Sequence, residues 1–338
     1  MVELSNRKFI PLDETTTWNF QQGAMMQWLP NSTEPRIIFN DRIGKNAVAV
    51  ILDVHSRERR TLGRAISALS HDGKTALSLN FGRLQRTRPG YGYPGIADPF
   101  EHIAHPLEDG IYKIDLATGE ETRVVTLANI FDLANKPSEL GRNTPLYFNH
   151  TIYNKDDSRF AFFLEWTHYP LPKIWRLKKL GRLRTALYTI GANGRDLRCL
   201  IDFGKVSHYD WRNNQDILIW ARIKGHECFH LVTDGTGTSE PVGEALLTSD
   251  GHCSFSPDGH WVLVDTYPDQ NHLSTLKLYN WDQGTQVILG KYYANPANTG
   301  EIRCDLHPRW NRTGTEICFD SIHEGTRQIY TLDVSTLT

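Results

Sequence analysis

The chain has 338 residues, of which 39% are hydrophobic and 22% charged, with a formal net charge of −2. That size exceeds one ordinary compact domain and allows either two domains or one large β-rich unit. The charge supplies no bulk basic field, which argues against a nucleic-acid partner.

No run of about 18 apolar residues is present, which excludes a membrane span, and MVELSNRKFIPLDETTTW lacks the basic-then-apolar order of a signal peptide. The five cysteines are odd in number and widely spaced, so a disulfide framework is not expected and the cytoplasm is the default compartment.

Taken along the chain, the pattern is one of short β-rich runs separated by turn residues. A small or aromatic run, a polar turn and a β-branched run make one unit. A weak copy occupies 25–41, and clearer ones follow at 65–81, 150–166, 207–221, 252–267 and 304–320. Second hairpins follow at 111–125, 187–201 and 276–290.

Paired hairpins give four antiparallel strands, and their repetition is the signature of an all-β fold, a β-propeller of four-stranded blades forming a single domain over 1–338. Six blades are countable, and the long interval between the second and third copies leaves room for a seventh. RQIYTLDV ends the last copy without a fourth strand, so RKFIPL near the N-terminus is expected to close it. Helical signals are confined to 120–140 and to the basic stretch 172–187, whose apolar face also suits a membrane surface or a sulfated glycan.

Propellers bind ligands where the innermost strands begin, and here those positions are rich in titratable groups: His150, His208, Tyr209, His252, Cys304, Asp305 and His307. Taken singly, each reads more simply as a polar contact between blades. Four consecutive inner strands opening on an imidazole point to one shared face. The loop 83–100 adds Arg83, Arg88 and Tyr91, residue types that bind carboxylate or sulfate and stack on sugar rings. No phosphate-binding glycine loop, nucleophile elbow or HExxH is present.

The segments NHTIYNKDDSRFAFFLEWTH, SHYDW followed by WAR, GHCSFSPDGHWVLVDTYPD and RCDLHPRWNRTGTEICFDSIHEGTRQIY resemble the propeller polysaccharide lyases, the ulvan lyases most and the oligogalacturonate lyases more distantly. The resemblance runs from Trp18 onward and implies seven blades. It also implies a carbon–oxygen lyase that acts on an anionic, uronate-containing, possibly sulfated polysaccharide or oligosaccharide by β-elimination, as a monomer.

By the same resemblance the catalytic set is His150, His168, Tyr209 and Arg222, with Glu165 near the place of the second histidine. Asn149 and His208 join the loop residues in holding substrate. Such an elimination needs a base at C5, a group that neutralises the adjacent carboxylate and an acid for the leaving oxygen.

In the oligogalacturonate lyases a metal is held by histidines and a glutamine. The glutamine's place corresponds to Cys304, two of the histidines to His252 and His307, and Arg309 stands where another would be. The thiolate implies zinc, in a structural role, over manganese or calcium, with His208 or Asp265 completing the set. The other reading leaves Cys304 a buried thiol and His307 a hydrogen-bonded strand histidine. A second function also stands beside the lyase, a non-catalytic propeller that binds a glycan or protein partner on the same face.

Overall fold

The computed structural model describes residues 1–3, 6–133, 140–168 and 182–337, the side chains of His168 and Arg182 excepted. The fold is all-β, of the β-propeller class. Among the described residues there are five four-stranded antiparallel sheets, one of three strands and a two-stranded ribbon. Packing divides the chain into two compact units, Met1–Ile130 and Phe131–Thr338. No helix of the described residues is long and apolar enough to cross a membrane.

The first unit holds blade 1 (27–62) and blade 2 (68–126); the second holds blades 3 (147–204), 4 (206–241), 5 (253–293) and 6 (309–333). Six blades are therefore present among the described residues. In the interval that left room for a seventh, the described residues form the second hairpin of blade 2, Gly110–Asp115 with Glu121–Thr126, and two short helices, Phe81–Thr87 and Leu127–Leu133. The last blade has three strands among the described residues, and Lys8–Phe9, in the segment expected to supply a fourth, pairs with Val2–Glu3.

One turn chemistry explains why the hairpins recur. In blades 2, 3, 5 and 6 a Ser or Asn side chain opens the turn and accepts the backbone N–H five residues on. The pairs are Ser70 with Thr75 at 3.0 Å, Asn154 with Arg159 at 3.0 Å, Ser256 with Trp261 at 3.0 Å and Asn311 with Glu316 at 3.1 Å. The fourth residue of each turn has positive φ: Gly73, Asp157, Gly259 and Gly314. Glycine meets that demand without steric cost, and aspartate is among the few residues that tolerate it.

Side chains on the first strands join successive blades of the second unit. Trp211 Nε1 of blade 4 donates to the Ile152 carbonyl of blade 3 at 3.1 Å, and Trp310 Nε1 of blade 6 to the Ser254 carbonyl of blade 5 at 3.3 Å. Between them, the Phe255 N–H of blade 5 donates to Asp210 of blade 4 at 2.8 Å. The basic stretch read as helical over 172–187 is strand from Arg182 to Gly191, and its earlier part lies outside the described residues. Alternation along LRTALYTI, needed to pair with Arg159–His168, overrides the helical tendency of its basic and alanine residues.

In the first unit Arg83, 1% exposed, donates to the carbonyls of Phe100, Ile103 and Ala104 and sits 3.7 Å from Asp98 and 3.9 Å from Asp109. It anchors the loop 83–100 from within and is not presented to a ligand. Arg83→Lys keeps the charge but not the planar fork, so it should cost about 1–3 kcal/mol in chemical denaturation.

Candidate functional site

Blades 4, 5 and 6 each bring one imidazole to a common row. His208 lies in Val206–Trp211, where the pairing with the next strand shifts register between Val206 and Tyr209. His252 immediately precedes Cys253–Phe255, and His307 stands two residues before Arg309–Trp310. The His208 and His252 rings are 4.0 Å apart between centroids, and those of His252 and His307 are 4.1 Å apart.

Asp265, 1% exposed at the end of Trp261–Asp265, fixes this row from behind. Its Oδ1 accepts the His252 N–H at 2.6 Å, its Oδ2 lies 3.0 Å from His252 Nδ1, and Oδ2 also accepts the His307 N–H at 3.2 Å. A Cβ on Gly251 would lie 1.8 Å from the Asp265 carbonyl oxygen, so only glycine lets His252 approach this closely. His307 has φ +41°, a left-handed conformation that is costly for a histidine.

His252, Asp305 and His307 offer ligand atoms that all lie within 4.8 Å of one another. Burial pushes both imidazoles well below their ordinary range, His208 adding to the effect on His252 and His252 to that on His307, so both are neutral, as metal ligands must be. With Nδ1 of His252 engaged by Asp265, Nε2 is the nitrogen left to ligate. His307 Nδ1 is buried and has no hydrogen-bond partner among the described residues. Asp305 is held by Arg303, whose Nε donates to its Oδ2 at 2.7 Å. Burial raises the Asp305 carboxyl, and Arg303 opposes that rise.

The side chains brought together are His252, Asp305 and His307, and Cys304, expected as a ligand, is not in this group. The Cys304 thiol is buried, lies 4.0 Å from the Asp305 carbonyl oxygen, and is pushed up to about 11 by burial. Without sulfur the softness argument for zinc lapses; two imidazoles and a carboxylate suit manganese as well as zinc. Asp265, offered as a fourth ligand, is engaged by both histidines through the contacts given above.

His208 faces this cluster without belonging to it. Its Nδ1 lies 3.1 Å from Asp250 Oδ1 and 3.0 Å from Ser207 Oγ, and its Nε2 lies 3.5 Å from the Tyr267 hydroxyl. Tyr267, Arg303, Asp305 and Asp250 are the members that motif reading did not assign. The signal for Tyr267 was its place just beyond Asp265 in VLVDTYPD.

The remaining expected residues lie elsewhere. His150, at φ +46°, meets Tyr209 through its backbone: the Tyr209 hydroxyl donates to the His150 carbonyl. Tyr209 is 5% exposed, packs on Phe163 with ring centroids 4.9 Å apart, and is pushed well above the usual phenol range by burial and then by Asp210. Asn149 is buried and donates to Glu165 Oε2 at 3.1 Å. His168 ends its strand opposite Arg182, and its side chain lies outside the described residues.

Arg222 is half exposed and pairs with Glu227 at 2.5 Å; Lys205 and Arg222 together hold that glutamate below its usual range. In the first unit the Arg88 guanidinium lies over the Tyr91 ring at 4.1 Å. Arg309 Nε donates to Cys318 Sγ at 3.3 Å.

No protein family matches the chain by sequence profile, and no curated protein matches it. Solved structures share its fold. A Mycobacterium tuberculosis puromycin-hydrolyzing peptidase is 14% identical over 96% of this chain and 46% of its own, with a TM-score of 0.52. An acylaminoacyl peptidase, solved with a chloromethyl ketone, is 12% identical over 94% of this chain and 46% of its own, at 0.51. An oligogalacturonate lyase in complex with manganese is 14% identical over 88% of this chain and 85% of its own, at 0.45. This chain thus spans under half the length of either peptidase. The likeness is one of β-propeller fold.

Proposed function

We propose that the protein cleaves a uronate-bearing polysaccharide or oligosaccharide by β-elimination, at the cluster of His252, Asp305 and His307 and the His208 that faces it. The observation that carries this reading is the row of three imidazoles from three consecutive blades, two of them sharing a metal-ligand set with Asp305. The resemblance of the inner-strand motifs to the propeller lyases supports it.

A divalent metal held by His252, Asp305 and His307 would neutralise the substrate carboxylate and so lower the acidity barrier at C5. Arg303, partly exposed beside Asp305, adds a second positive charge on the same side. His208, its Nδ1 fixed by Asp250, presents Nε2 as the acceptor of the C5 proton. The C–H electron pair becomes the C4=C5 double bond while the C4–O bond breaks, and the Tyr267 hydroxyl, 3.5 Å from His208 Nε2, protonates the departing oxygen. One proton is taken and one returned, so no external co-reactant is needed.

The second reading, a non-catalytic propeller that binds a glycan or protein partner, draws on Tyr209 and Arg222, whose polar groups are engaged by His150 and Glu227. The test is ultraviolet absorbance of the unsaturated uronate product during incubation with ulvan, pectate oligomers and glycosaminoglycans. Product formation should fall on the order of 100-fold to 10,000-fold in His208→Ala and hold in Tyr209→Phe. Loss in Tyr209→Phe with survival in His208→Ala would move the chemistry to the His150 side. A flat trace from metal-loaded protein on every substrate would favour the binding propeller.

A further inference from the structure

Blade 4 carries a second group of metal-ligating side chains, used by neither reading above. In its third strand, His226–Thr233, side chains alternate faces, so His226, Cys228 and His230 of HECFH share one. The fourth strand, Ser239–Pro241, sets Pro241 opposite His230. The chain then turns at Gly243, φ +60°, whose carbonyl accepts the N–H groups of Leu246 and Leu247 at 2.8 and 2.7 Å. This turn returns Glu244 to the start of the third strand, its Oε1 3.2 Å from His226 Nδ1.

The ligand atoms of His226, Cys228 and Glu244 all lie within 4.8 Å of one another. Cys228 forms the floor at 5% exposure, while the side chains of His226 and Glu244 form the rim at 62% and 49%. Behind the thiol stands His230, 3% exposed, with Nε2 3.4 Å from Sγ and Nδ1 buried without a hydrogen-bond partner among the described residues. Cys228 is in no disulfide. An exposed His–Glu pair alone contributes little, and a buried thiol next to a carboxylate gains nothing from it in the absence of a cation.

We propose that His226, Cys228 and Glu244 bind a zinc ion that clips the Gly243 turn to the third strand of blade 4. One sulfur, one imidazole nitrogen and one carboxylate oxygen form a borderline-soft donor set that suits zinc and does not suit magnesium or calcium. On binding, the S–H bond breaks, the S–Zn bond forms and the proton leaves to solvent, with no change of oxidation state. The fourth tetrahedral position is left to water.

The site is separable by spectroscopy from the one at His252, which contains no sulfur. The full chain, stripped of metal, is titrated with cobalt(II) as a zinc surrogate. A thiolate-to-cobalt charge-transfer band should appear and vanish on adding zinc, and in His252→Ala it should saturate at one equivalent. The band should persist in His252→Ala and be absent in Cys228→Ser. His226→Gln and Glu244→Gln alter exposed rim groups that folding tolerates, and each should weaken binding by about tenfold or more. The proposal is overturned by a titration without the band, or by a band that survives Cys228→Ser or is unmoved in both rim variants. It does not depend on the lyase reading, and its outcome leaves that reading untouched.

Discussion

Asp265→Ala should cost about 2–4 kcal/mol of stability in denaturant titration and also abolish metal binding at the proposed His252 centre. The carboxylate accepts two backbone N–H groups and the Nδ1 side of an imidazole, and at 1% exposure those donors have no water to replace it. Asp265→Asn separates the two effects. Its carbonyl oxygen still accepts one backbone N–H, so the stability loss should be smaller. Its NH2 cannot accept from His252 Nδ1, so metal affinity measured by competition with a chelator should fall by about 10-fold to 100-fold. Equal metal retention in wild type and both variants would show that Asp265 is an inter-blade hydrogen-bond anchor and not an orienter of ligands.

Trp211→Ala is the second large effect. The ring is 0% exposed in a cluster with Ala161, Phe163, Leu187, Ile217, Ile219 and Val232, and its N–H reaches the Ile152 carbonyl. Deleting it should cost about 3–5 kcal/mol, and roughly 10 °C of Tm by calorimetry. Trp211→Phe keeps most of the packing and loses the hydrogen bond, so about 1–2 kcal/mol should go. If the two variants were equally damaging, the hydrogen bond and not the ring would be holding blades 3 and 4 together.

The blades were legible because their turns are local: a Ser or Asn, then a Gly or Asp three residues later, can be read directly from the chain. The strand Arg182–Gly191 was not, because its alternation overlaps a stretch rich in good helix formers and only pairing with Arg159–His168 decides between them. That His252 and His307 come together follows from their places at the openings of consecutive inner strands. The choice between Cys304 and Asp305 does not, since the chain from Arg303 to Pro308 is not strand and period-two reasoning has no purchase there. Tyr209 and Arg222 stood in recognisable motifs, yet a motif cannot reveal that the hydroxyl is already engaged by the His150 carbonyl, or the guanidinium by Glu227.

The side-chain bonds between first strands have a bearing on cooperativity. Repeat architectures with interchangeable neighbours unfold piecemeal, their stability approximating a sum over units. Here the partners are specific: blade 3 lends a carbonyl to Trp211, blade 4 a carboxylate to the Phe255 N–H, and blade 5 a carbonyl to Trp310. Removing one blade leaves buried donors and acceptors unmatched in its neighbours, a penalty that falls on the blades that remain. Residues 131–338 should therefore melt as one transition, and a backbone nick in a loop between blades should leave the fragments associated instead of shedding a folded blade.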